Sequence, residues 1–132
     1  MNNDIRILVV DDDKEDHMIL QEYFSESNIE QNVMFVENGV KALEYLEGIS
    51  NESALPKLIV LDLNMPLMNG SQTLLHLKQS NRLKNIPVII YSTSESENEK
   101  RKCLSFGAVD YMVKPVTMEE GQRMVDKFKS FI

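Results

Sequence analysis

The stretch Leu58-Ile59-Val60-Leu61-Asp62 sets four apolar residues in a row, without polar alternation, and closes them with a carboxylate. A run this short and evenly apolar suits a strand covered on both faces, as in a parallel sheet held between helical layers. Ile7-Leu8-Val9-Val10 repeats the arrangement and leads into Asp11, Asp12 and Asp13. Outward from these two, β-branched runs recur at Ile5–Val10, Val33–Val36, Leu58–Leu61, Val88–Tyr91 and Val109–Val113, with 17 to 26 residues between them. Most of the intervening segments carry helical spacing: Ile19 with Tyr23, Leu20 with Phe24, and Val125 with Phe128. Crossovers of that length cannot be hairpins, so the strands pair in parallel with right-handed connections. The predicted fold is α/β, a doubly wound (βα)5 sheet with helices on both faces.

Local punctuation agrees. Asp13 and Asn38 stand where the first two helices need caps, and Thr117-Met118-Glu119-Glu120 has the form of a capping box opening the last helix. Gly48 and Gly107 fall where helices should stop, and Ile49–Lys57 reads as a long polar loop. The 132 residues are 42% apolar, enough for one core, and the charge is 14 basic against 21 acidic, or −7. That balance argues against a nucleic-acid surface, which needs clustered cations. Cys103 is the lone cysteine and cannot form an internal disulfide. Apolar runs such as Ile7–Val10 are too short to cross a bilayer, and Met1-Asn2-Asn3-Asp4 has no signal-peptide character. The expectation is one cytoplasmic domain over residues 1–132, with no membrane contact and no output module.

Ligands bind open α/β sheets at the carboxyl ends of the strands. Those ends offer Asp11, Asp12 and Asp13 after the first strand, Asp62 after the third, Ser92-Thr93 after the fourth and Lys114-Pro115 after the fifth. Three carboxylates about 5 Å apart repel by roughly 3 kcal/mol per pair at an effective dielectric near 20. A hard divalent cation resolves that repulsion, and an all-oxygen set with room for water suits Mg²⁺ better than a zinc site or a Ca²⁺ cage. A metal beside a carboxylate, a lysine and a hydroxyl equips the edge for phosphoryl transfer, with Asp62 as the nucleophile.

These motifs resemble the receiver domains of two-component response regulators over essentially the whole chain. They are Val9-Val10-Asp11-Asp12, then Leu61-Asp62-Leu63-Asn64-Met65-Pro66-Leu67-Met68-Asn69-Gly70, then Ser92, then Lys114-Pro115. The resemblance implies a flavodoxin-like sheet of strand order 2-1-3-4-5. It implies that Asp62 accepts a phosphoryl group from a histidine kinase phosphohistidine, in a Mg²⁺-dependent reaction. Asp11, Asp12, Asp62 and the backbone carbonyl of Asn64 would bind the metal, and Lys114, on a cis bond to Pro115, would contact the phosphoryl group. Ser92 and Tyr111 would form the switch, reshaping the face made by the fourth helix, fifth strand and fifth helix. A sensor kinase or phosphotransfer protein, a downstream protein and a homodimer through that face are the implied partners. The chain would catalyse only its own phosphorylation and dephosphorylation. The loop at Ile49–Lys57 and the segment Arg82–Pro87 resemble single-domain regulators that work with bacteriophytochrome-type kinases.

Two other readings compete. An aspartate-nucleophile phosphatase or phosphotransferase shares the chemistry, but usually carries a second acid two residues after the nucleophile, where this chain has Asn64. A degenerate receiver serving as scaffold would not need the full set of Asp11, Asp12, Asp62, Ser92 and Lys114. Residues nearby have plainer readings. Asp13 reads as a cap rather than a ligand, His17 and His76 as solvated helix residues, and Cys103 as a packed thiol. Asn64 and Ser94, each two residues past a site residue, are expected to influence phosphoryl lifetime. Lys14, Glu15, Met18, Gln21 and Glu22 form the outer face of the first helix, a region that meets the kinase in the resembling family.

Overall fold

A computed structural model describes residues 4–63 and 69–132. Five strands alternate with five helices: β1 Ile7–Val10, α1 Lys14–Glu26, β2 Val33–Val36, α2 Gly39–Glu47, β3 Leu58–Asp62, α3 Gly70–Gln79, β4 Val88–Ser92, α4 Glu97–Ser105, β5 Asp110–Val113 and α5 Met118–Lys129. The sheet is parallel throughout, in the order β2-β1-β3-β4-β5. The doubly wound prediction is borne out. The first strand begins at Ile7 rather than Ile5, and the third and fourth each gain their terminal site residue, Asp62 and Ser92.

Pleating divides the evenly apolar strands between two cores. Leu8, Val10, Ile59, Leu61, Val88 and Ile90 face the side covered by Leu46 of α2, Leu74 and Leu77 of α3, and Cys103 of α4. Ile7, Val9, Leu58, Val60, Ile89 and Tyr91 face Leu20 and Phe24 of α1 and Val125 and Phe128 of α5. β1, β3 and β4 have every residue buried, as strands between two helical layers must. The predicted pairs Leu20–Phe24 and Val125–Phe128 lie wholly inside. Ile19 does not follow Tyr23 inward and stays 45% exposed.

The caps form as expected, with one change. Asp13 accepts from the Glu15 and Asp16 N–H groups, and Asn38 from Lys41 N. Thr117 accepts from Glu120 N, but the Glu120 carboxylate accepts from Val116 N instead of the cap residue, so the box is displaced by one position. A full capping box opens α3, where Asn69 and Gln72 exchange backbone bonds. Gly107 holds φ +110° just after α4, a left-handed conformation that favours glycine. Gly48 caps α2 in ordinary right-handed geometry. Among the described residues no helix is long and apolar enough to cross a membrane.

Candidate functional site

Asp11 leaves β1 still held by the sheet, its N–H donating to the Val36 carbonyl at 3.0 Å. The Asp11 Oδ1 oxygen then accepts from Asp13 N at 2.9 Å, which turns the chain into α1. Asp62 closes β3, Ser92 closes β4, and Lys114 follows β5 with its N–H donating to the Ser92 carbonyl at 2.8 Å. Parallel pairing in one register therefore delivers all four to one edge. Carboxylate oxygens of Asp11, Asp12 and Asp62 lie within 4.8 Å of one another, two residues buried and Asp12 exposed. Asn64 and the rest of the 64–68 segment fall outside the described residues, so the expected backbone ligand has no counterpart to report.

The Lys114 ammonium stands among the acids. It lies 3.6 Å from Asp62 Oδ2, 3.6 Å from Asp11 Oδ2 and 2.5 Å from Asp16 Oδ2. It also sits 5.0 Å above the centre of the Tyr91 ring, a favourable place for a cation. Burial opposes its charge, but the Asp16 bond and the Asp62 and Asp11 charges outweigh it and hold the amine above the ordinary lysine range. Burial drives the Asp11 carboxyl the other way, up to about 8. The Asp13 N–H and Lys114 resist that rise, while Asp62 and Asp16 add to it.

Asp11 Oδ2 is buried and, among the described residues, accepts no hydrogen bond. A buried carboxylate oxygen without a donor is costly. Three converging carboxylates, one of them so orphaned and one open to solvent, fit a hard divalent cation with water in its remaining positions.

Ser92 is fully buried, and its hydroxyl oxygen accepts from Ser94 N at 3.1 Å. The Tyr111 ring is buried on the α4 side, its hydroxyl donating to the Ser94 carbonyl at 2.9 Å and to Glu99 Oε1 at 3.4 Å. Ser94 thus links the two residues expected to act as a switch. Cys103 is buried, as read from the sequence, and His76 is exposed.

Two expectations need correction, and one residue joins the site unpredicted. The Lys114–Pro115 bond is trans, since the described chain contains no cis peptide; trans is the ordinary preference of an X–Pro bond, and it still lets the amine reach the acids. His17 is no freely solvated side chain: its ring lies 4.7 Å from that of Phe35, and its Nε2 lies 2.5 Å from the Asp11 carbonyl oxygen. The helix turn brings position 17 back over the Asp11 backbone, which a polar neighbourhood in sequence does not reveal. Asp16, in a polar run of the sequence, reaches the site as well. It occupies the third position of α1, three residues after its cap, and only the docking of α1 against the sheet brings it to Lys114.

The chain belongs to the response regulator receiver domain family, matching it over residues 7–126. Receiver domains are signalling domains of two-component systems that take phosphate from histidine kinases. Response regulator Rcp1 of Synechocystis sp. is 32% identical over 95% of this chain and 86% of its own length. The probable methanogenesis regulatory protein FilR2 of Methanothrix harundinacea is 31% identical over 95% of this chain and 81% of its own. A crystal structure of Rcp1 in its Mn²⁺-bound form superposes with TM-score 0.79 at 31% identity, covering 96% of this chain and 93% of that one. The phosphorylated cyanobacterial phytochrome response regulator RcpA superposes at 0.81 with 29% identity, over 96% and 92%.

Proposed function

We propose that this chain is a phospho-accepting switch in which Asp62 is the acceptor. A carboxylate oxygen of Asp62 attacks the phosphorus of a kinase phosphohistidine. The P–N bond breaks, the released imidazole recovers a proton from solvent, and an acyl phosphate remains on Asp62. Lys114 supplies the positive charge that grips the equatorial oxygens, and the Ser92 hydroxyl donates to one of them. Asp11, Asp12 and Asp62 would hold Mg²⁺, with the Asn64 carbonyl expected as a further ligand, and the bound ion would neutralise the charge that gathers as phosphate is transferred. The Mn²⁺-bound form of Rcp1 supports a divalent cation in such a pocket, and the phosphorylated form of RcpA supports phosphate acceptance.

The observation that carries this reading is the meeting of the Asp11, Asp12 and Asp62 oxygens within 4.8 Å of one another, with the Lys114 ammonium 3.6 Å from Asp62. Phosphorylation adds nearly two negative charges beside Ser92 and Lys114. Ser92 moves toward them, and Ser94 relays the shift to Tyr111 and the α4–β5–α5 face. That face exposes Leu104, Val113 and Val116, apolar groups suited to a downstream protein or a second copy of the chain. The likeness to the phytochrome response regulator RcpA and to a bacteriophytochrome response regulator supports a phytochrome-type histidine kinase as the phosphodonor. Intact mass spectrometry after incubation with Mg²⁺ and a small acyl phosphate tests the reading. One added phosphate on the wild type and none on Asp62→Asn is expected; an Asp62→Asn protein that still gains phosphate removes Asp62 as acceptor.

A further inference from the structure

Lys114 faces more acids than phosphoryl chemistry requires. Its shortest contact is neither to the acceptor nor to the buried Asp11 but to Asp16, at 2.5 Å against 3.6 Å for each of the others. Both partners are largely enclosed, with side chains 15% and 19% exposed. Charge-assisted bonds of this length are the strong ones, and partial burial spares the pair much of the solvent screening that weakens surface pairs. Asp16 is also set in place by its own helix: its N–H donates to the Asp13 cap in the first turn of α1, where a negative charge is stabilised by the helix terminus. Asp16 is thus a fixed anion that draws the ammonium aside from Asp62.

We propose that Asp16 is a positioning residue that competes with the phosphoryl group on Asp62 for the Lys114 ammonium. This inference rests on Asp62 being the acceptor. Three anionic oxygens arriving beside an amine only 3.6 Å from Asp62 attract it with more charge than one carboxylate. Lys114 then exchanges Asp16 for phosphoryl oxygen, and the first turn of α1 loses its tie to β5. Breaking the 2.5 Å pair opposes phosphorylation, so Asp16 sets how far the equilibrium lies toward the modified form.

The test measures binding of beryllofluoride, a phosphoryl analogue, in saturating Mg²⁺ to the wild type, Asp16→Asn and Glu15→Gln. Glu15 is an exposed acid on the same turn and reports the effect of merely lowering the local charge. Asp16→Asn is expected to bind about tenfold more tightly than the wild type, the order of one charge-assisted hydrogen bond, and Glu15→Gln far less so. A substitution that only damages the fold weakens binding. Equal or weaker binding by Asp16→Asn, or an equal gain from Glu15→Gln, overturns the proposal. A crystal structure of the wild-type adduct decides independently of how the variant folds. Lys114 should stand on the analogue and more than about 4 Å from Asp16; an amine still on Asp16 refutes the exchange. A wild type that forms no adduct contradicts the phospho-acceptor reading itself, a different failure.

Discussion

The Tyr111 hydroxyl donates to the Ser94 carbonyl at 2.9 Å, tying the middle of the last strand to the loop that leaves β4 after Ser92. The same hydroxyl reaches Glu99 on α4 at 3.4 Å, so one phenol spans the strand, the loop and the helix of the proposed signalling face. Tyr111→Phe keeps the ring and removes both bonds. It should lower unfolding stability by about 1 kcal/mol, the net worth of a buried hydrogen bond. Urea unfolding measures this, and an unchanged midpoint would show that the hydroxyl does not hold the face together.

Asp11 illustrates a conflict between function and stability. Its Oδ2 is buried without a donor among the described residues and shares its surroundings with Asp62. Asp11→Asn replaces a carboxyl whose ionised form burial strongly disfavours and should raise the metal-free protein's stability by about 1 kcal/mol. Mg²⁺ at a hundred times its dissociation constant should stabilise the wild type by about 2.7 kcal/mol and leave Asp11→Asn nearly unaffected. Thermal melts with Mg²⁺ or with a chelator compare the two. An Asp11→Asn protein stabilised by Mg²⁺ as strongly as the wild type would remove Asp11 from the metal site.

Gly70 opens α3 against the end of β3. A Cβ there would stand 2.4 Å from the Asp62 carbonyl oxygen and 2.6 Å from Leu63 Cα, and both are backbone atoms that cannot step aside. Gly70→Ala should therefore cost about 1–3 kcal/mol and slow phosphate uptake by displacing the acceptor strand end. Unfolding curves and phosphorylation rates check both effects; a variant with wild-type values for both would mean the strand end has slack.

Cys103 is 1% exposed, and burial pushes its thiol above the usual range, with Glu99 adding to the effect and Lys102 opposing it. A thiol whose folded pKa is raised contributes stability that is complete below its unfolded pKa and fades as pH climbs through the folded one. The wild type should accordingly lose more stability than Cys103→Ala between about pH 7.5 and 9.5. Native Cys103 should also resist iodoacetamide at neutral pH. Labelling of the folded protein as fast as of the urea-unfolded one would contradict this burial.

The sheet was readable because its strands are apolar on both faces, and only a helix-covered parallel arrangement gives that pattern. Strand-end chemistry followed from it: once the runs at Ile7, Leu58 and Val88 are placed, Asp11, Asp62 and Ser92 must share an edge. Contacts made by helices across that edge were not legible. Asp16 and His17 lie in a run of polar residues, and their inward turn depends on how α1 docks against α5 and β2, through Phe24, Phe128 and Phe35. Glu120 likewise accepts from the Val116 N–H rather than from that of the cap residue Thr117, a choice set by the chain path into the helix that the four-residue motif does not contain.

One carboxylate at the end of β3, that of Asp62, is the proposed carrier of phosphate. Borohydride reduces an acyl phosphate to an alcohol and so converts the modified aspartate to homoserine. Peptide sequencing by mass spectrometry after phosphorylation in Mg²⁺ and borohydride treatment should find homoserine at position 62 and at no other aspartate. Homoserine at Asp11, Asp12 or Asp16, or a phosphate retained on serine or histidine, would remove Asp62 as the acceptor.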